Sequence, residues 1–261
     1  LSAIVNYANQ KITGLGTGEG RLSLLNTILR YRPVIGIGND DFSLIDLDID
    51  PLDPNPSSVL YQSPIVTLET QHRENRLKSL NMNATASYFF DKHFTYRGLV
   101  NFTDNNNSAR IFNDARSLFA QRSGGATGGV SYSTAQQFNY NNTLTYANVF
   151  NKDLKFDVSL GQEYIYNYNQ SLLTASTNFP SINLGWDKLQ LGTVTSFPVT
   201  AAEDSKLLSF FSRANYSYKG KYLLTATLRA DGSSKFGTNN TWGYFPSAAI
   251  SWRGIEEKIM K

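Results

Sequence analysis

Between residues 154 and 168 the chain alternates almost without a break. Leu154, Phe156, Val158, Leu160, Tyr164, Tyr166 and Tyr168 fall on one parity, and Lys155, Asp157, Ser159, Gly161, Glu163 and Asn167 on the other. Successive side chains of an extended strand point to opposite faces, so a period of two is the mark of a strand with one apolar and one polar side. From 138 to 150 the split repeats: Phe138, Tyr140, Leu144, Tyr146 and Phe150 against Asn139, Asn141, Thr143 and Thr145. It recurs over 80–90, 94–102, 208–218, 222–230 and 242–252, and a first strand near 4–12 brings the count to about eight. In 242–252 the pattern weakens, because Phe245 falls on the polar parity and Pro246 lacks a ladder donor, as in an edge or bulged strand. Helical spacing explains none of these segments, which are dominated by Thr, Tyr, Phe and Asn.

The connections alternate as well. Asp91-Lys92-His93, Asn151-Lys152-Asp153 and Lys219-Gly220-Lys221 are tight polar turns, whereas roughly 103–137, 168–207 and 231–241 read as long loops rich in Asn, Gly, Ser and Thr. A two-sheet soluble sandwich has no reason to alternate short and long. A transmembrane β-barrel does, with short turns on one rim and long loops on the other. Aromatics agree. Tyr88, Phe90, Phe94, Tyr96, Phe150, Phe156, Tyr216, Tyr218 and Tyr222 flank the tight turns, and Phe102, Phe138, Tyr140, Tyr164, Tyr166, Tyr168, Phe210, Trp242 and Tyr244 lie far from them. Between the two sets sit Ala84, Ala86, Val100, Leu160, Ala214, Ala226 and Leu228, which makes two girdles around an aliphatic band.

Composition fits this class and excludes others. Charged residues are 17% of the chain, below the usual quarter, aromatics are 13%, and mean hydropathy is −0.33. No run approaches the ~18 apolar residues of a membrane helix. With no Cys there is no disulfide, thiolate zinc site or thiol nucleophile, and two histidines, His72 and His93, leave little for a metal centre. A net charge of +3 gives no nucleic-acid footprint. The polar parity carries Arg97, Asp157, Glu163, Arg213, Arg229 and Asp231 with little bulky filler, which suits the wall of a wide lumen. The expectation is therefore an arc of a larger antiparallel transmembrane barrel. The opening Leu-Ser-Ala-Ile-Val has no initiator Met or signal segment, as in a trimmed product or a chain that starts mid-protein.

Three features imitate active sites. Gly14, Gly16, Gly18 and Gly20 ahead of a short helix at 22–30 resemble a dinucleotide-binding turn, but no Gly stands at 19 or 21 and no Gly-Lys-Ser/Thr follows. Asp46, Asp48, Asp50 and Asp53 alternate like calcium ligands, yet Pro51 and Ser57 stand where an EF-hand needs Gly and Glu. The reading for this segment is a solvated acidic loop, with loop calcium the alternative. Asn-x-Ser/Thr triplets at Asn101 and Asn215 are expected by chance in an Asn-rich chain. No Gly-x-Ser-x-Gly elbow occurs, and no motif sets a histidine beside a carboxylate and a nucleophile. The chain reads as no enzyme, with no cofactor.

Residues 207–253 read LLSFFSRANYSYKGKYLLTATLRADGSSKFGTNNTWGYFPSAAISWR. The blocks SFFSRANYSY (209–218), YLLTATLRADGSSKFG (222–237) and WGYFP (242–246), closing on Ser251-Trp252-Arg253, resemble the SusC/RagA-type TonB-dependent outer-membrane receptors. Weaker echoes lie at Leu29-Arg30-Tyr31-Arg32-Pro33 and Asn55-Pro56. The resemblance implies a barrel of about 22 strands, an N-terminal plug, a TonB box and a SusD-like lipoprotein lid. It implies outer-membrane lipid, TonB, the lipoprotein and an oligosaccharide or peptide substrate as partners, in the cell outer membrane of a Gram-negative bacterium. No plug or TonB box is visible in the chain, and the barrel so implied needs several strands after Arg253. Residues 1–261 are therefore expected to be part of the barrel domain, with plug and C-terminal strands absent and 254–261 beginning a short helix. The alternatives are a siderophore or cobalamin receptor, a barrel adhesin without transport, and a soluble carbohydrate-binding β-sandwich.

Residue chemistry gives the same segment a structural role. Asp231-Gly232-Ser233-Ser234 reads as a turn in which Asp and Ser bond their own backbone and Gly takes a positive φ. Phe236-Gly237 and Trp242-Gly243-Tyr244-Phe245-Pro246 then set aromatics at the outer interface and hold the rim of a hairpin. The lumen-facing candidates are Arg97, Asp157, Glu163, Arg213 and Arg229, and none is assigned as a ligand contact.

Overall fold

A computed structural model describes residues 1–14, 28, 64–117, 119–120, 123–151, 153–180, 185–237 and 241–257. The loop helix at 22–30 (save Ile28), the acidic run Asp46–Asp53 and the Tyr-x-Pro and Asn-Pro echoes lie outside the described residues. Eight strands form one antiparallel sheet in strict sequence order: β1 (Ser2–Thr13), β2 (Gln71–Phe89), β3 (Phe94–Asn113), β4 (Thr127–Asn151), β5 (Leu154–Thr177), β6 (Thr193–Tyr218), β7 (Tyr222–Ser233) and β8 (Trp242–Trp252). A short helix α1 (Pro64–Thr70) runs directly into β2, and a 3₁₀ segment at Gly185–Leu191 lies between β5 and β6. The chain after β8 makes a 3₁₀ turn at Gly254–Glu256.

Register carries the alternation across the whole sheet. Met82 pairs with Phe102, Phe102 with Phe138, Phe138 with Tyr166, and Tyr166 with Lys206. Even-numbered positions of β2–β8 therefore share one face, joined by the odd positions Ala3, Val5 and Tyr7 of β1. Over the stretch between the girdles that face is apolar, and no described residue packs on it: Leu160 is 54% exposed, Leu228 52% and Ile250 85%. A soluble sandwich would bury these side chains under a second sheet, and no second layer exists among the described residues. Open aromatic and aliphatic surface of this extent is the outside of a membrane barrel.

The strands run much further than the alternation does. Segments 103–137 and 168–207 read from sequence as loops, whereas β3, β4, β5 and β6 continue through most of them and reach 20, 25, 24 and 26 residues. A tilted span needs only about 9–11 residues, so each of these strands projects well past the bilayer. Beyond the outer girdle neither face meets lipid, so both faces are polar and the period-two signal fades. Side chains tie the projecting part together. Thr134 Oγ1 donates to Asn106 Oδ1 at 2.8 Å, and Gln136 Nε2 to Asp104 Oδ1 at 3.0 Å. A small core seals it where the 3₁₀ segment brings Trp186 and Leu189 against Phe112, Ala126 and Phe179, the two Phe rings meeting edge-on at 5.5 Å.

The tight turns match their residues. At the β2–β3 turn the Asp91 carboxylate accepts the backbone N–H groups of His93 (2.6 Å) and Phe94 (2.8 Å). Between β6 and β7, Lys219 (φ 50°) and Gly220 (φ 64°) are both left-handed and Lys221 N–H bonds Tyr218 O, the type I′ geometry that suits strand twist. Below this turn Glu257 accepts from Tyr222 Oη (2.9 Å) and Lys221 Nζ (3.1 Å), folding the segment after β8 back onto the hairpin.

Candidate functional site

Opposite the apolar surface lies a face built from odd-numbered positions, and all five candidates stand on it. Arg97 faces Ser87 and Thr143, Asp157 faces Asn215, Glu163 faces Asn141 and Ser209, Arg213 faces Ser159 and Thr227, and Arg229 faces Phe211 and Phe245. Three of the sequence-flagged residues converge. Arg229 donates from Nη2 to Glu163 (2.8 Å) and from Nε to Asp231 (2.6 Å), and Nη2 also reaches Ser209 Oγ at 2.9 Å. The guanidinium lies 6.0 Å from the Phe211 ring centroid, and that ring rests on Gly161, where any Cβ would enter it. Cross-strand geometry thus fixes the arginine from both sides. Ser209, Phe211 and Gly161 are missed by pattern reading, although an aromatic opposite a strand glycine is a usable sign of such packing.

The other candidates stay apart from this node. Asp157 accepts from Asn215 Nδ2 at 2.8 Å, and Asn215 accepts from Thr225 Oγ1 at 2.9 Å. Arg97 and Arg213 are exposed, with no acidic partner among the described residues. No group of three or more His, Asp or Glu that could hold a metal occurs among the described residues. What the face offers is hydrogen bonding and fixed charge on a polar wall.

The segment 229–246 forms the β7–β8 hairpin, and its chemistry differs from the turn expected. Gly232 is not left-handed. It lies in β7 opposite Trp242, whose indole covers it so closely that a Cβ would come within 2.9 Å of Cε2. Asp231 bonds Arg229 through its side chain and does not cap its own backbone. Strand pairing, continuing two residues past Asp231, accounts for both differences. The serines do make the turn: Ser233 Oγ accepts from Lys235 N–H, while Ser234 Oγ accepts from Lys206 N–H and Ser234 N–H returns to Lys206 O. That exchange clamps the hairpin onto β6. Trp242 stacks on Phe210 at 6.2 Å, Gly243 makes room for the Phe245 ring, Tyr244 pairs with Ala230, and Pro246 pairs with Leu228. Phe236 is exposed at the tip beside Gly237.

Residues 12–258 match the family described as TonB dependent receptor-like, beta-barrel. TonB-dependent receptor P3 of Formosa agariphila is 29% identical over 262 residues, which cover 97% of this chain and 24% of that protein. TonB-dependent receptor SusC of Bacteroides thetaiotaomicron is 48% identical over 60 residues, 23% of this chain and 6% of that protein. The solved structure of the RagAB peptide transporter aligns with a TM-score of 0.68 at 20% identity, covering 77% of this chain and 22% of that one. At that identity the likeness speaks for the fold. The chain spans about a quarter of the length of the first of these relatives. One open sheet with a girdled face that no described residue covers, a polar opposite face and a match over nearly its full length make this chain a member of the TonB-dependent receptor β-barrel family of the Gram-negative outer membrane.

Proposed function

We propose that the intact receptor containing this barrel segment imports oligosaccharides or peptides, working with a SusD-like surface lipoprotein and drawing energy from TonB. The observation that carries this reading is the 48% identity to SusC over 60 residues, supported by the fold shared with the RagAB peptide transporter. The outer membrane has no nucleotide supply, so active import there must take its energy from a protein that reaches across the periplasm. The polar face of the sheet would line the lumen, with Arg97, Asp157, Glu163, Arg213 and Arg229 on its wall. Plug, TonB box and remaining strands would come from sequence outside these residues. Binding and translocation are the whole of the activity, without bond-making chemistry or a cofactor.

The test is uptake of labelled oligosaccharides and peptides by the producing bacterium, with the receptor gene, the TonB gene and any adjacent SusD-like lipoprotein gene deleted in turn. Loss of uptake of one substrate class in each of the three strains is expected. Unchanged uptake without the receptor or without TonB would overturn the reading. A deletion strain that fails only under iron or cobalamin limitation would replace it with the siderophore or cobalamin alternative.

A further inference from the structure

Three cations stand together on the outward face where β1 meets β2. Lys11 pairs directly with Arg76, and Lys78 lies one row nearer the bilayer, opposite Asn9 and Asn106. Strand geometry sets their height. Ten residues separate Lys78 from Tyr88 in the inner girdle, and ten residues of a strand tilted by about 45° rise about 23 Å. The apolar band of a membrane barrel is about 25 Å tall. Lys78 therefore leaves the hydrocarbon at its outer boundary, one row beyond Tyr7, which is 64% exposed on the same face. Arg76 and Lys11 stand about 5 Å higher. Over the same rows the opposite face carries Gln10, Ile12, Asn75, Leu77 and Ser79, none of them charged.

Like charges directly opposite across two strands repel, and here a carboxylate holds them. Glu74 forms ion pairs with Lys11 Nζ at 2.9 Å and Arg76 Nε at 2.7 Å. Its side chain is 9% exposed, against 52% for Lys11 and 46% for Arg76, so the acid lies beneath and the cationic ends face outward. Lys78 is exposed and has no acidic partner among the described residues. One acid under three cations leaves the patch positive. The other charges on this face of β1–β3 are engaged elsewhere. Asp104 accepts from Asn106 Nδ2 at 2.8 Å and from Gln136 Nε2 at 3.0 Å, and Arg110 faces Asp187 at 3.5 Å.

We infer that this patch binds the phosphate of an anionic glycolipid in the outer leaflet. Arg76 turns Nε to Glu74 and keeps its two terminal nitrogens for phosphate oxygens, the planar recognition that guanidinium does best. Lys11 and Lys78 add point charges on long stems that reach along the interface. The partner has to be amphiphilic. Its acyl chains would lie on the apolar surface below, formed by Tyr7, Leu80 and Met82, while its phosphate sits at the level of the cations. The inference stands on the outer-membrane placement of the family and is independent of the uptake reading.

The experiment takes the full-length receptor, purified and stripped of lipid in detergent. Native mass spectrometry then compares binding of monophosphoryl lipid A, the same lipid A after removal of its phosphate, and phosphatidylethanolamine. The phosphorylated form should bind at least about tenfold more tightly than the other two, and high salt should erase the difference. Arg76→Gln with Lys78→Gln should weaken it by more than about tenfold. Lys155→Gln, on the opposite face, should leave it unchanged. Because Arg76 also holds Glu74, a double variant that fails to fold, as judged by heat-modifiable migration, is replaced by Lys78→Gln alone, which should still weaken binding severalfold. Equal binding of the two lipid A forms, or unchanged affinity in the variants, overturns the site. Displacement of the lipid by inorganic phosphate at equal concentration would make the patch a soluble-anion site and overturn the lipid assignment.

Discussion

Asn142 lies between Tyr140 and Leu144 on the apolar face of β4, half-buried, and its Oδ1 accepts the hydroxyl of Tyr96 at 2.7 Å. The tyrosine arches over Gly98, where a Cβ would lie 3.0 Å from its hydroxyl oxygen. Gln162, paired with Asn142 on β5, reaches Tyr140 Oη in a similar way, at 3.4 Å. Girdle tyrosines thus satisfy amides that lipid cannot. Tyr96→Phe should destabilise the barrel by about 1–3 kcal/mol, because it strands the acceptor. Adding Asn142→Leu should restore most of that loss, as read from urea unfolding of the full receptor in detergent. Outside the membrane, the backbone N–H groups of His93 and then Phe94 hold the Asp91 carboxyl below the usual range. A depressed folded value means that this turn's contribution is complete above the unfolded value of about 3.9. It is lost as the pH falls through the lower folded value. Asp91→Asn should therefore reduce the unfolding midpoint at neutral pH, and the difference from the parent should shrink as the pH falls through the lower folded value.

Among elements, β5, β6 and β7 owe their alignment to packing that spans long stretches of sequence. Gly161→Ala would push the Phe211 ring off β5 and withdraw the support under Arg229, a change of about 1–3 kcal/mol in unfolding free energy. Gly161→Ala with Phe211→Ala should fall short of the sum of the single effects, and additive effects would contradict the contact. Pattern reading placed Arg229 and Glu163 on one face but could not join them, since 66 residues separate them and only the register of β5 on β6 on β7 brings them together. It placed β7 to within a few residues and gave β8 its bounds, where lipid enforces alternation. It lost the outer halves of β3–β6, where polar residues such as Asn105–Asn107 occupy both parities. It misjudged Gly232 because a glycine after Asp signals a turn locally, whereas the Trp242 indole that needs the space lies across the hairpin.

At the scale of the whole molecule, the sheet is an open arc, and β1 and β8 each have one described neighbour. Unpaired edges in lipid leave N–H and C=O groups unsatisfied at several kcal/mol each, so we propose that both edges pair with strands outside this segment. Produced alone, residues 1–261 should aggregate or require detergent, and a monodisperse detergent-free monomer with a cooperative melt would refute that arrangement. The central claim is that one parity meets lipid and the other meets water. Spin labels placed singly at 154–168, and at Thr145 and Tyr146, in the full-length receptor in bilayers test it through accessibility to oxygen and to a water-soluble nickel complex. Oxygen contact should peak at Phe156, Val158, Leu160, Tyr164 and Tyr146, and nickel contact at Asp157, Ser159, Glu163 and Thr145. Inverted phase, uniform exposure to nickel or a helical period along 154–168 would contradict the barrel.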